Sequence, residues 1–105
     1  MKDRSRNLSY NATLVLSALA NGSRYGLEVI ERTGLSSGTV YPALRRLEAA
    51  GLVEGAWEDE AEAHEDGRPA RRNYRVTAPG RAAMVEAVRR VRAQQSVLGW
   101  VPKDA

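Results

Sequence analysis

Tyr41, Pro42, Arg45 and Arg46 follow the short polar run Ser36-Ser37-Gly38-Thr39, and these are residue types that grip and read DNA. An arginine guanidinium can hold a phosphate or meet the edge of guanine with two hydrogen bonds. Tyr41 can set its hydroxyl on a phosphate or stack beside a base, and Pro42 offers a flat apolar surface to a thymine methyl. Ser37, Gly38 and Thr39 fall where a helix would begin, so their backbone N–H groups can meet a phosphate. Each reading has a structural counterpart. The serines and threonine can simply cap, Tyr41 can pack on the preceding helix, and Pro42 can only shape its own. One arginine can pair with Glu48 or Glu28.

These side chains need a helix to carry them. Gly34 can close the helix before in a left-handed conformation, and Ser36 can cap the next by accepting from a free backbone N–H. Val40, Leu44 and Leu47 recur at i, i+4 and i+7, a buried stripe that leaves Tyr41 and Arg45 facing out. Gly51 ends this helix, with Leu52 placed to touch Leu47. Upstream, a first helix starts near Asn7 or Ser9, buries Ala12, Val15, Leu16 and Leu19, and stops at Asn21-Gly22. Ser23 can cap a second helix that turns Leu27 and Ile30 inward and ends at Thr33-Gly34. The second and third helices form a helix-turn-helix. Arg24 and Tyr25, at the opening of the second, are placed to approach the DNA backbone.

After Gly51 the pattern changes to period two. Val53, Gly55 and Trp57 alternate with Glu54, Ala56 and Glu58, and Arg72, Tyr74 and Val76 do so downstream. This predicts a β-hairpin with a long mobile tip around Gly67-Arg68-Pro69, anchored to the helices by Trp57 and Tyr74. A hairpin behind a helix-turn-helix is a wing, and Arg68, Arg71 and Arg72 flank its tip, within reach of a minor groove. Beside them Glu58, Asp59, Glu60, Glu62, Glu65 and Asp66 form an acidic block that phosphates repel. It should point away, stay disordered or work against non-specific binding. His64 is a solvated loop residue, since one His among acids is a poor metal site.

Thr77 can cap a last helix, with Pro79 tolerated in its first turn. There Met84, Val88, Val91, Gln95 and Leu98 repeat with 4-3-4-3 spacing, a narrow seam for a second copy of the chain. The alternative is that this helix folds back on its own domain. The expected fold is mainly α with a small β-hairpin, a winged helix-turn-helix in the order helix-helix-helix-strand-strand-helix. The DNA-binding domain would span residues 7–77 and the dimerisation helix 78–101.

The run Leu35-Ser36-Ser37-Gly38-Thr39-Val40-Tyr41-Pro42-Ala43-Leu44-Arg45-Arg46-Leu47-Glu48 resembles the recognition region of the PadR family of bacterial transcriptional regulators. Tyr-Pro inside a helix makes the signal specific, because few helices tolerate proline there. Arg24-Tyr25-Gly26, Gly67-Arg68-Pro69, Tyr74-Arg75-Val76-Thr77 and Gly80-Arg81 extend the resemblance over roughly residues 8 to 84. The acidic tip is longer than the family's usual wing. The resemblance implies pairing through the C-terminal helices together with the N-terminal one. It also implies that Trp100, beyond closing the dimer core, could help line a pocket for a small aromatic effector.

Composition narrows the rest. The 105 residues suit one domain, and the net charge of +3 conceals segregated clusters: Lys2, Arg4 and Arg6, then Arg45 and Arg46, then the wing arginines. There is no cysteine, one His and no Gly-rich phosphate loop, which leaves little catalytic chemistry to arrange and no cofactor to expect. No apolar run approaches a membrane span and no basic-then-apolar leader opens the chain, so the cytoplasm is the expected location. The expectation is a homodimeric regulator, a repressor on an inverted-repeat operator. An architectural or phage-type accessory DNA-binding protein and a winged-helix protein-interaction module are the alternatives.

Overall fold

The computed structural model describes residues 8–99, in the order α1 (Tyr10–Ala20), α2 (Gly26–Thr33), α3 (Ser37–Ala49), β1 (Val53–Trp57), α4 (Glu60–Glu65), β2 (Arg72–Val76) and α5 (Ala78–Leu98). Ser9 caps α1 by accepting from the Ala12 N–H at 3.0 Å. Gly34 ends α2 at φ 74° and Gly51 follows α3 at φ 75°. Past Gly51 the Leu52 N–H returns to the Leu47 carbonyl at 2.9 Å and the Gly51 N–H to Glu48, a Schellman closure.

Two of the expected caps differ. Ser23 is buried and precedes α2 without capping it; the carboxylate of Glu28 accepts from the Arg24 N–H instead, at 2.8 Å. The cause is strand pairing. The chain stays extended through Tyr25, which bridges Asn73, while the Tyr74 N–H donates to the Arg24 carbonyl at 2.7 Å. The helix therefore starts later and rotates Leu27 outward, leaving Val29 fully buried in the inward place. At α3, Ser36 holds the cap position, but its hydroxyl pairs with the Thr39 hydroxyl at 3.1 Å rather than with a backbone N–H.

Leu16, Leu44 and Leu52 are the largest fully buried side chains, joined by Val15, Val29, Val40, Leu47 and Val53. The core thus lies where α1, α2 and α3 meet the base of the hairpin. β1 and β2 pair antiparallel, Val53 opposite Val76 and Trp57 opposite Arg72, so the period-two faces match the expected ones. Tyr74 packs on the core as expected, whereas Trp57 is 67% exposed and anchors nothing. It sits at the far end of its strand, opposite Arg72.

The hairpin tip holds an additional helix. Asp59 caps α4 by accepting from the Ala61 and Glu62 N–H groups, Ala63 is buried, and Gly67 at φ 69° closes it. The acidic block is therefore folded.

Thr77 joins the two halves. Its hydroxyl accepts from the Gly80 N–H and donates to the Gly51 carbonyl at 2.7 Å, while its own N–H donates to Leu52 at 3.1 Å. Ala83 and Ala87 bring the first half of α5 close to α1. Beyond Val91 the helix leaves the domain, with Val97 72% and Leu98 79% exposed. No helix among the described residues is long and apolar enough to cross a membrane.

Candidate nucleic-acid interface

The free end of α3 presents Ser37 and Gly38 to solvent with Thr39 half-buried behind them. One turn on, the Tyr41 ring lies against the start of α2, where a Cβ on Gly26 would stand 2.3 Å from it. Gly26 is thus the residue that lets the aromatic lean across while keeping 42% of its surface open. Pro42 withholds the N–H that would complete the helix ladder to the Gly38 carbonyl. Arg45 and Arg46 are exposed and have no carboxylate partner among the described residues. Glu28 is taken by Arg24 at 3.2 Å and Glu48 by Arg72 at 2.5 Å, so the expected alternative pairing does not form.

Between α3 and the hairpin runs a groove of about 780 Å³ lined by Tyr25, Tyr41, Arg45, Trp57, Arg71, Arg72 and Tyr74, with Arg68 at its rim. Arg72 crosses Gly55, where a side chain would meet its guanidinium at 2.6 Å, and lies between Trp57 and Tyr74 at 5.6 and 5.9 Å. Arg71 stacks on Tyr25 at 3.8 Å. Glu58 gathers both remaining wing cations. It bonds Arg68, accepts from the Arg71 guanidinium at 3.3 Å and takes the Arg71 backbone N–H at 2.8 Å. The groove combines aromatic rings with arginines from both α3 and the hairpin, a surface suited to a phosphate backbone.

The transcriptional regulator PadR-like family model matches residues 15–86. The chain belongs to this family of transcriptional regulators. No curated protein matches the sequence. Among solved structures, a PadR-family regulator from hypervirulent Clostridium difficile aligns with a TM-score of 0.71 and 24% identity, over 86% of this chain and 95% of the other. One from Eggerthella lenta gives 0.61 and 29% over 90% and 78%. The Bordetella bronchiseptica regulator BpsR, whose DNA binding is regulated by 6-hydroxynicotinic acid, gives 0.70 and 24% over 94% and 67%. A PadR-like regulator is a DNA-binding protein.

Within this PadR-like chain the expected contact residues fall into groups. Tyr25, Tyr41, Arg45, Arg68, Arg71 and Arg72 share the groove. Ser37, Gly38, Thr39 and Pro42 lie outside its lining, along α3. Arg24 is exposed beside α2, and Arg46 turns to a separate hollow lined by Leu8, Ala12 and Leu47. Trp57 and Glu48 also line the groove, and Glu58 touches it through Arg68 and Arg71. The signal for Trp57 was its shared strand face with Gly55, opposite Arg72. Of the seam, Met84 packs on its own core, Val88 and Val91 are half-covered, and Gln95 and Leu98 are open. Trp100 lies outside the described residues, as do Lys2, Arg4 and Arg6.

Glu58 supplies a pH test. The Arg68 hydrogen bond, with help from the Arg71 N–H, holds its carboxyl down to about 2 against an ordinary 4.5. A lowered folded value stabilises the wing fully above pH 4.5, and that contribution is lost as the pH falls toward 2. In a Trp100→Phe variant, Trp57 emission is expected to change across that window, and Glu58→Gln to abolish the change. A Glu58→Gln titration that overlays the parent would assign the transition to other carboxyls.

Proposed function

We propose that this PadR-like regulator is a homodimeric repressor that binds an inverted-repeat operator. The carrying observation is that one groove gathers Tyr41 and Arg45 from α3 with Arg71 and Arg72 from the wing. Two elements therefore offer cations to one DNA surface, α3 for the major groove and the hairpin for the flanking backbone. The unpartnered Val97 and Leu98 at the end of α5 support pairing with a second copy through Met84, Val88, Val91, Gln95 and Leu98. A two-fold axis then sets half-sites about one helical turn (~34 Å) or a multiple apart, and occupancy blocks the promoter.

Selection from a random duplex library, repeated across salt concentrations, tests the reading. Enrichment of an inverted repeat with a steep salt slope supports it. Salt-sensitive binding without a motif would replace it with an architectural role, and no binding with a protein-interaction role. Leu98→Glu is expected to shift the dimer to monomer in sedimentation while the far-UV spectrum stays unchanged, because the side chain is already solvated within one chain. A dimer that persists would move the interface elsewhere. An effector is part of the proposal: BpsR offers a precedent of its own, and Trp100 is the candidate wall. Ligand-dependent quenching should vanish in Trp100→Ala, with Trp57 as internal control; unchanged quenching would remove Trp100 from the pocket.

A further inference from the structure

Four cations of the proposed DNA face are already engaged: Arg24 by Glu28, Arg72 by Glu48, and Arg68 and Arg71 together by Glu58. The last arrangement is the most constrained. Glu58 is only 13% exposed, it receives bonds from two guanidiniums and one backbone N–H, and Asp66 flanks Arg68 at 3.3 Å on the outer side. The Tyr25 ring under Arg71 fixes the second guanidinium from below.

We propose that Glu58 is a positioning residue for DNA selectivity, holding Arg68 and Arg71 in one posture so that they meet phosphates only in the operator-docked geometry. Non-specific binding is almost wholly electrostatic and gains from any arginine free to swing toward the nearest phosphate. A braced arginine cannot follow a shifting duplex, and its charge is already met by a carboxylate. When α3 fixes the register on its operator, the same posture is pre-organised and loses little. Selectivity is the difference between those two affinities, so suppressing the weaker one raises it. The inference rests on the reading that the wing faces DNA.

The test compares Glu58→Gln with the parent on two short duplexes, the selected operator and a random sequence, across salt concentrations. Gln keeps the shape and the acceptor for the Arg71 N–H while removing the charge. Random-duplex affinity is expected to rise roughly fivefold per released arginine near 0.15 M salt, with the slope steeper by ~0.9 for each. Operator affinity should rise less, so the ratio falls. Asp66→Asn, on an exposed side chain, should give a smaller change of the same sign even if Glu58→Gln disturbs the wing. An equal rise on both duplexes, or no rise on the random one, overturns the proposal. A purely structural brace would weaken binding and flatten the slope. Arg71→Ala in the parent separates the two levels. If it alters neither affinity, the DNA reading of the wing fails and takes the brace with it. If it weakens binding while Glu58→Gln changes nothing, the brace alone fails.

Discussion

Arg45→Ala is expected to cost roughly 1–3 kcal/mol of operator affinity and to relax base preference at one position in each half-site. Arg46→Ala should instead weaken every duplex alike and flatten the salt slope by ~0.9. The two neighbours separate because α3 turns them apart: Arg45 lines the groove beside Tyr41, whereas Arg46 stands over the hollow beside α1. Neither has to leave a carboxylate before meeting DNA. Both are exposed, so their removal leaves the fold intact and the loss reads directly on binding. Repeating duplex selection with each variant checks the division. Identical motifs and equal losses from both would mean that α3 reads no base through either side chain.

Gly80→Ala should be the most damaging conservative change to the fold. A Cβ at position 80 would stand 1.9 Å from the Leu52 carbonyl oxygen, and the obstacle is backbone rather than a side chain that can swing aside. Leu52 is fully buried and its carbonyl already accepts from the Thr77 N–H, so neither partner has room to move. Overpacking of this kind costs ~3 kcal/mol, which for a domain of this size lowers Tm by roughly 15 °C. Thermal unfolding followed by circular dichroism checks it. A shift under a few degrees would show that α5 can slide off Leu52 freely.

The helical half was legible because each signal there is local: Gly34, Gly51 and Thr77 cap or close helices within four residues of their own position. The Val40-Leu44-Leu47 stripe and the alternating faces of the two strands were readable for the same reason. What the sequence could not disclose depended on long-range pairing. Ser23 and Leu27 were misplaced because Tyr25 pairs with Asn73, nearly fifty positions away, and that bridge delays the start of α2. Ser36 kept its place but not its bond, since its hydroxyl donates to the Thr39 hydroxyl instead of accepting from a backbone N–H. Trp57 is apolar by type, and only its place at the end of β1 leaves it exposed in the groove. The partners of the arginines were likewise hidden: Glu48 on α3 meets Arg72 on β2, and Glu58 meets Arg71 where the two strands part, pairings set by how the elements come together.

Thr77 has a mechanical consequence. Its three hydrogen bonds tie the first turn of α5 to the closure of α3, so the two helices share a fulcrum with almost no slack. The 21 residues of α5 make a lever ~32 Å long. Its first half is held on α1 by Ala83 and Ala87, and only the stretch beyond Val91 stands clear of the domain. Thr77 thus couples the start of α5 both to the closure of α3 and, through Leu52 and Val76, to the base of the hairpin.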